Sequence, residues 1–336
     1  MSAVDKTPSQ IVADIVEEAD AAATEIRRAR EAIGAVVFGQ ETIVEMAFAA
    51  ILAGGHGLLV GVPGLAKTLL VETMGTVLGL NANRIQFTPD LMPSDIIGSE
   101  VMDKDEDGRR AFRFLKGPVF AQLLMADEIN RASPRTQSAL LQAMQEYHVT
   151  VAAKRYDLPE PFHVLATQNP LEQEGTYPLP EAQLDRFLMQ IDVRYPTLEA
   201  ERRILIETTG AVSAVAKPVL TGEQLRAYQL LVRKMPVGES VMEAILALVR
   251  SARPDAADSN AMTKHIAWGP GPRASQALML TVRARALLEG RLAPSVDDVL
   301  ALAEPVLQHR MALSFSARAD GISVRDVIAA LKGKIG

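Results

Sequence analysis

The stretch from Leu58 to Thr73, LLVGVPGLAKTLLVET, places a glycine-rich loop between two apolar runs. The loop starts at Gly61 and ends in Lys67-Thr68, which matches the phosphate-binding loop in outline. Backbone N–H groups of such a loop converge on phosphate oxygens at a helix N-terminus, where the helix dipole favours an anion. The residues predicted to contact the phosphate-bearing ligand are Val62, Pro63, Gly64, Leu65, Ala66, Lys67, Thr68 and Leu69.

Two side chains of this loop have separate predicted tasks. Lys67 would reach the β- and γ-phosphates of ATP, and the Thr68 hydroxyl would bind Mg²⁺. Ala66 departs from the pattern, which asks for glycine, and its methyl group costs little if the backbone there is not at positive φ. The alternative is a chance glycine turn before a helix, and a second site further along the chain weighs against it.

That second site is the segment LLMADE, in which two acids follow an apolar run. Asp127 would hold Mg²⁺, directly or through water, and Glu128 would orient and polarise the attacking water. Taken alone, the pair could be an ordinary strand end with two solvated acids. Its position after the phosphate loop favours hydrolysis of a nucleoside triphosphate.

A third polar position follows another apolar run, VLATQN. Asn169 can hydrogen-bond the attacking water or the γ-phosphate, and Gln168 is a weaker candidate for the same task. A lone asparagine after a strand is otherwise a common turn residue.

The apolar runs predict the elements that must bring these groups together. Strands alternate with helices in the first two thirds of the chain, which indicates a parallel α/β sheet. From about Thr197 the pattern becomes helical with little strand signal. The predicted strands are GLLVG, RIQFT, QLLMADE, FHVLATQN and FLMQIDV.

Two hairpins are predicted within the α/β region, one around an acidic turn at Asp105–Gly108 and one at HVTVAAKRYDLP. The predicted organisation is an α/β domain over residues 1–200 and a linker with a helical domain over residues 201–336. The hairpins occupy about residues 97–116 and 148–159.

The amino-acid composition argues against several other classes of protein and site. The 336 residues include no cysteine, which excludes disulfides, thiolate metal sites and cysteine nucleophiles. A net charge of -6 and 4% aromatic residues argue against a nucleic-acid-binding surface. The N-terminus has no secretory signal pattern, and no apolar run approaches the ~20 residues that span a bilayer, so a cytoplasmic protein without a membrane span is expected.

The order of the phosphate loop, MADEINRA, LATQNP and LPEAQLDRF resembles the AAA+ ATPases of the MoxR family. The resemblance covers nearly the whole chain from about Val37, and the stretch EGTYPLPEAQLDRF is specific. It implies an AAA+ phosphate-loop core with a parallel sheet, followed by a small all-α lid domain. It also implies MgATP as the cofactor and a homo-oligomeric ring, expected to be hexameric.

The resemblance assigns roles that spacing alone does not. Asn169 would be sensor 1, and Arg186 in LDRF would be the arginine finger for the ATP of a neighbouring subunit. Arg273 in GPGPRAS would be sensor 2 on the lid, gripping phosphates together with Lys67. Arg131 is a further candidate for the subunit interface. The structural alternatives are an ion pair of Arg186 with a neighbouring acid and a helix N-terminal role for Arg273.

Two further features follow from the same resemblance. Val37, Phe38 and Gly39 in VVFGQE would lie near the adenine, although core packing explains them equally. The hairpins correspond to the helix-2 insert and the pre-sensor-1 hairpin of this clade, which project from the ring and touch partners; the alternative is a pair of solvated loops.

The family implies a function in remodelling or activating partner proteins, often proteins with a von Willebrand factor A domain, including assistance to cofactor or metal insertion. One alternative is a magnesium-chelatase-like motor subunit. A second is a nucleic-acid motor of the same clade, against which the acidic charge and sparse aromatics count. A third is a binding protein that uses ATP only as a switch, against which Glu128 and Arg186 count.

Overall fold

The computed structural model describes residues 8–104, 110–172, 174–209, 214–254 and 263–335. The acidic turn predicted at Asp105–Gly108 lies outside these ranges. The first nine strands in chain order are β1 (Gly57–Val60), β2 (Ala82–Gln86), β3 (Gly98–Lys104), β4 (Arg110–Lys116), β5 (Leu123–Asp127), β6 (His148–Val151), β7 (Lys154–Asp157), β8 (His163–Gln168) and β9 (Met189–Asp192).

Five of these strands form one parallel sheet in the order β2-β5-β8-β1-β9. The predicted parallel α/β fold is therefore confirmed. Since the strands run in one direction, their carboxyl ends share one edge, where ligands of open α/β sheets bind. The phosphate loop follows β1, Asp127 ends β5 and Asn169 follows β8, so all three predicted groups reach that edge.

The sheet is buried on both faces, since its central strands β1, β5 and β8 carry mostly apolar and buried side chains. Leu58 and Leu59 are both fully buried but belong to different apolar clusters, as the two-residue period of a strand requires. One cluster includes residues of the helix Pro134–Glu146, and the other extends without a break into the C-terminal helices. The C-terminal helices therefore share a core with the sheet.

The helices in chain order are α1 (Pro8–Gly34), α2 (Glu41–Leu52), α3 (Lys67–Val77), α4 (Pro93–Ile97), α5 (Pro134–Glu146), α6 (Glu181–Leu184), α7 (Leu198–Thr209), α8 (Gly222–Lys234), α9 (Glu239–Ser251), α10 (Pro272–Leu288), α11 (Val296–Leu307), α12 (Phe315–Ala319) and α13 (Val324–Lys332). Helix α1 buries Ala22, Ile26, Ala29 and Ile33 at helical spacing and packs on both the core and the lid. The sequence predicts α1 only as an amphipathic helix; its packing against both parts comes from the structure.

The C-terminal region is a helical lid, as expected, with one addition. Residues Ile266–Trp268 (β10) and Ala312–Leu313 (β11) pair as two short antiparallel strands. These strands hold the start of α10 against the segment after α11. They were not predicted from the sequence because two or three residues are too few to show the alternating apolar pattern of a strand. The predicted division at residue 200 falls inside α7.

Both predicted hairpins are present as β3–β4 and β6–β7. They pack on each other, since the rings of Phe114 and Tyr156 stack at 4.1 Å between centroids and Lys154 lies 3.9 Å from Glu100. Among the described residues, no helix is both long enough and apolar enough to span a membrane.

Candidate functional site

The phosphate loop joins the carboxyl end of β1 to α3, which starts at Lys67. Its backbone N–H groups at the start of α3 have no partner from a preceding turn, which makes this end of the helix a binding place for an anion. Two residues of the loop have a left-handed backbone, Gly64 with φ 83° and Ala66 with φ 56°. The condition under which the Ala66 methyl group would cost little is therefore not met, and the loop holds an alanine where glycine is the less strained residue.

This conformation predicts that Ala66→Gly stabilises the protein. Ala66 is exposed, so removing its methyl group leaves no cavity. Glycine removes the strain energy of a left-handed alanine but raises the conformational entropy of the unfolded chain. We expect the first effect to be larger, so that the free energy of unfolding rises by about 0.5–1 kcal/mol. Chemical denaturation followed by circular dichroism measures the change.

Gly64→Ala is the matched control, because it introduces the same strain at the other left-handed position of the loop. A Cβ at Gly64 has no atom within 4 Å, so conformation alone is tested. This variant should lose stability. A loss of stability in Ala66→Gly as well would show that the alanine methyl group makes a contribution that its backbone does not reveal.

Lys67 lies half-buried in the loop it belongs to. Its ammonium group donates to the carbonyl oxygens of Gly61 and Val62, the latter at 3.3 Å. Burial lowers the pKa of Lys67, while the negative charges of Asp127 and Glu128 act in the opposite direction. The lysine is thus folded back onto its own loop, next to both carboxylates, where a phosphate group would add the negative charge that favours its ammonium form.

Asp127 is the buried carboxylate of the site. Its Oδ1 accepts a hydrogen bond from the hydroxyl of Thr167 at 2.5 Å, and its Oδ2 accepts from the guanidinium of Arg84 at 2.6 Å. Thr167 is fully buried on β8 and Arg84 lies on β2, the strands that flank β5. Asp127 is therefore fixed from both sides of its strand.

Glu128 is held just as firmly. Its backbone has φ 55° and ψ 50°, and its N–H donates to the Thr167 hydroxyl at 2.9 Å. Its Oε2 accepts from Gln86 Nε2 at 2.7 Å and from the Arg131 guanidinium at 2.8 Å. Arg131 also lies 3.9 Å from Glu172, and its predicted place at a subunit interface stays a prediction.

A cavity of about 490 Å³ brings the predicted residues together. Asn169 is buried at its wall, and its Oδ1 accepts from the Leu171 N–H at 3.2 Å. Gln168, the weaker candidate, is not part of this wall; its carbonyl oxygen accepts from the Gly61 N–H at 3.1 Å. The cavity is lined by Pro63, Gly64, Leu65, Ala66, Lys67, Thr68, Leu69, Asp127, Glu128 and Asn169.

The residues that line this cavity fit a nucleotide phosphate with Mg²⁺. Lys67 and the first N–H groups of α3 supply positive charge for phosphate, while Thr68 and Asp127 supply the oxygen ligands that Mg²⁺ prefers. The described residues contain no cluster of three or more acidic or histidine side chains that could hold a metal. A bound Mg²⁺ would take its remaining ligands from phosphate and water, its usual mode in phosphate sites.

Sequence reasoning missed Arg84, Gln86 and Thr167. The first two alternate along β2 and therefore point to the same side, towards Asp127 and Glu128 of the neighbouring strand. Polar residues two apart in the otherwise apolar segment RIQFT were the available signal. Nothing in the sequence shows that β2 lies beside β5.

The segment predicted to lie near the adenine divides into two parts. Val37 is buried in the core, as the packing alternative expects. Phe38 carries the Arg203 guanidinium 5.3 Å from its ring centroid, and Gly39 has φ 70° with so little room that a Cβ would lie 2.4 Å from that of Ala200. Helix α7 therefore closes over Phe38 and Gly39, and adenine binding there stays a prediction.

Arg186 and Arg273 lie together at a different cavity, of about 270 Å³. Arg273 NH1 is 3.3 Å from Asp185 Oδ2, and its side chain is 55% exposed. Within the described part of the chain, Arg186 forms no ion pair. His56 also lines this cavity; burial lowers its pKa to about 3, and its Nδ1 accepts from the Val164 N–H. The positive charge here belongs to the arginines.

The two cavities lie at opposite ends of β1. The phosphate loop follows its last residue, whereas Gly55 and His56, which line the arginine cavity, precede its first. The strand has four residues, roughly 13 Å at ~3.3 Å per residue, which exceeds the reach of an arginine side chain. The lid therefore places Arg273 at the opposite edge of the sheet from Lys67 of the same chain, and its predicted contact with phosphate stays a prediction.

Comparison with known proteins agrees with the class that this fold and site define. The profile of the ATPase family associated with various cellular activities (AAA) matches residues 56–189, and that of the AAA lid domain matches residues 259–331. The protein is an ATP hydrolase with an AAA core and an AAA lid.

More specific relatives share nearly the whole chain. It is 43% identical to Chaperone MoxR1 of Mycobacterium tuberculosis over 90% of this chain and 80% of that protein. It is 33% identical to Protein MoxR of Paracoccus denitrificans over 86% and 88%. The chain belongs to the MoxR family of AAA+ ATPases.

Solved structures agree with this assignment. The crystal structure of an ATPase candidate from Cytophaga hutchinsonii is 38% identical, with a TM-score of 0.88 over 95% of this chain and 97% of that one. A full-length MCM homologue from Methanopyrus kandleri is 18% identical, with a TM-score of 0.55, and so shares the fold only.

Proposed function

We propose that the chain acts in a closed ring, expected to be hexameric, in which Arg186 and Arg273 of one subunit serve MgATP bound to the phosphate loop of the next. The observation that supports this most is the placement of both arginines at the far end of β1 from their own loop. A head-to-tail contact that joins the two edges of the sheet would complete the site, and repetition of such a contact closes a ring.

Within that site each residue has a defined task. Lys67 would leave its loop carbonyls to contact the β- and γ-phosphates, and Thr68 with Asp127 would hold Mg²⁺, which neutralises charge on the phosphates. Glu128 would accept a proton from the attacking water, and Asn169 would orient that water or the γ-phosphate. The arriving arginines would stabilise negative charge that develops on the transferred group.

The ring would act on partner proteins through its two packed hairpins. Met102 of β3 and Phe112 of β4 face each other across the hairpin and are 57% and 68% exposed. They extend the face on which Phe114 stacks with Tyr156 of the second hairpin. We propose that this exposed apolar pair contacts a cytoplasmic partner, of the kind with a von Willebrand factor A domain, and that ATP turnover remodels it or assists cofactor or metal insertion.

A trapping experiment tests this function. Glu128→Gln should retain ATP and keep the ring bound to its partner, since binding does not need the base. In that background, Met102→Ser with Phe112→Ser should abolish recovery of the partner while ATP binding stays normal, because neither side chain lines the phosphate-loop cavity. Affinity purification with mass spectrometry measures recovery.

Leu205→Ser is the matched surface control, because Leu205 is 65% exposed on α7, away from the hairpins. Enrichment of von Willebrand factor A proteins that depends on the hairpin pair supports the proposal. Equal recovery with and without the pair contradicts the hairpin surface. ATP turnover stimulated by DNA, or by a chelatase partner subunit, would replace the proposed function with one of the alternative motor functions.

A further inference from the structure

Arg310 is almost completely buried, with 3% of its side chain exposed, although it carries a full charge. It lies just after α11, in a short turn at the base of the lid. Its guanidinium donates to Asp185 Oδ1 at 2.7 Å and to the carbonyl oxygens of Asp185 at 3.3 Å, Phe187 at 2.7 Å, Leu188 at 3.1 Å and Val306 at 2.6 Å. Four of these five contacts go to the segment Asp185–Leu188, which contains Arg186.

The neighbours of Arg310 bind the same part of the core. His309 is buried and lies with Nε2 3.0 Å from the Phe187 carbonyl oxygen, and Gln308 donates to the Gln190 carbonyl oxygen at 3.0 Å. Three consecutive lid residues thus hold the chain from Asp185 to the start of β9. A shift of α11 must move this segment or break these bonds.

Asp185 joins this attachment to the exposed arginine cavity. One carboxylate oxygen accepts from buried Arg310, and the other lies 3.3 Å from exposed Arg273. Two guanidinium groups therefore share one carboxylate, while Arg186 lines the same cavity and makes no ion pair among the described residues. The excess positive charge faces the cavity, where Arg186 and Arg273 are accessible and Arg310 is not.

We propose that Arg310 is a positioning residue: through Asp185 and the Asp185–Leu188 backbone, it sets Arg186 and Arg273 as one unit towards the nucleotide of the neighbouring subunit. This inference rests on the proposed ring. Because Arg310 belongs to the lid and Arg186 to the core, the same bonds tie the position of the lid to that of the finger. A shift of the lid would then move Arg186 and change the rate of hydrolysis at the neighbouring subunit's nucleotide.

The chemistry of the contact requires arginine. A planar guanidinium with several N–H donors can serve the carboxylate and four carbonyl oxygens together, whereas an ammonium group has only three donors on a flexible stem. Arg310→Lys keeps the charge near Asp185 but loses most of the carbonyl bonds. Misplacement of a catalytic group by about 1 Å costs roughly 100-fold in rate, so we expect kcat to fall about 10- to 100-fold with little change in KM for ATP.

Mixed rings separate positioning from general damage. Arg310→Lys has an intact phosphate loop, so mixing it with Lys67→Ala, whose finger is intact, should restore part of the activity. Mixing it with Arg186→Ala should restore none, because both variants then lack a working finger. Arg226→Lys is the control, since Arg226 makes another contact between lid and core, an exposed ion pair with Glu160, and should retain wild-type turnover.

Different mixtures test the proposed ring and the proposed role of Arg310, so that one can be rejected without the other. Lack of recovery in a mixture of Arg186→Ala and Lys67→Ala would reject the ring mechanism on which the inference depends. If that mixture recovers but Arg310→Lys with Lys67→Ala does not, in rings shown by native mass spectrometry to be mixed, Arg310 acts elsewhere and the inference is overturned. If Arg310→Lys does not fold, Asp185→Asn replaces it, and wild-type turnover of that variant overturns the inference equally.

Discussion

Arg186→Ala is expected to bind ATP as the wild-type protein does and to hydrolyse it about 10³-fold more slowly. An arginine that stabilises charge on a transferred phosphoryl group contributes ~10³–10⁵ in kcat, and even the lower figure is about 4 kcal/mol of activation free energy. The residue stabilises charge that develops only in the transition state, whereas ground-state binding rests on the phosphate loop, so the affinity for ATP should be retained. Steady-state turnover and fluorescent-nucleotide titration measure the two quantities.

Recovery between two inactive variants tests whether Arg186 acts in trans. Lys67→Ala lacks the cation of its phosphate loop but still presents an intact Arg186. When it is mixed with Arg186→Ala under conditions of subunit exchange, each interface between a Lys67→Ala finger and an Arg186→Ala loop contains one complete site. Part of the wild-type rate should therefore return, and it should rise and fall with the mixing ratio.

The control is Arg250→Ala, because Arg250 is an exposed arginine at the end of α9 and lines neither cavity. It should leave turnover unchanged, which would show that loss of an exposed arginine does not by itself stop hydrolysis. Wild-type turnover that stays constant on dilution to monomer would place the complete site within one chain. In that case both the ring and the trans role of Arg186 would have to be abandoned.

The predicted residues that the structure brings into one cavity belong to three short local motifs. The phosphate loop, the Asp127-Glu128 pair and Asn169 each follow an apolar strand, and parallel strands place such residues at one edge. Local pattern and one topological rule are sufficient to bring them into a single cavity. No knowledge of side-chain contacts is needed.

The parts that the sequence does not predict depend on packing between distant segments. Arg84 reaches Asp127 only because β2 lies beside β5, and Arg310 is 125 residues from Asp185. The position of Arg273 depends on how the lid packs on the shared apolar core. Each of these is decided by tertiary contact, which periodicity and motif spacing do not encode.

Glu128→Gln is expected to separate binding from hydrolysis. Removal of a positioned general base costs about 10²–10⁴ in rate, whereas the phosphate contacts of Lys67 and the α3 amide groups remain. The substitution also keeps an acceptor oxygen for Gln86 and Arg131, which hold the native carboxylate at 2.7 Å and 2.8 Å. The side chain should therefore stay in place while losing its capacity to take a proton.

Lys67→Ala should show the opposite pattern, with greatly weakened ATP binding, because a charge-assisted contact to phosphate is lost. Glu72→Gln is the control for Glu128→Gln, because it also removes one negative charge near the loop. Glu72 is exposed on α3, and its side chain lines no part of the cavity. Titration with a fluorescent ATP analogue and single-turnover hydrolysis distinguish the three variants. If Glu128→Gln lost ATP binding to the extent that Lys67→Ala does, Glu128 would be a structural member of the Gln86–Arg131 network rather than the base. If it hydrolysed ATP at the wild-type rate, water activation would have to come from another residue of the cavity, and Asn169 is too weak a base for that task.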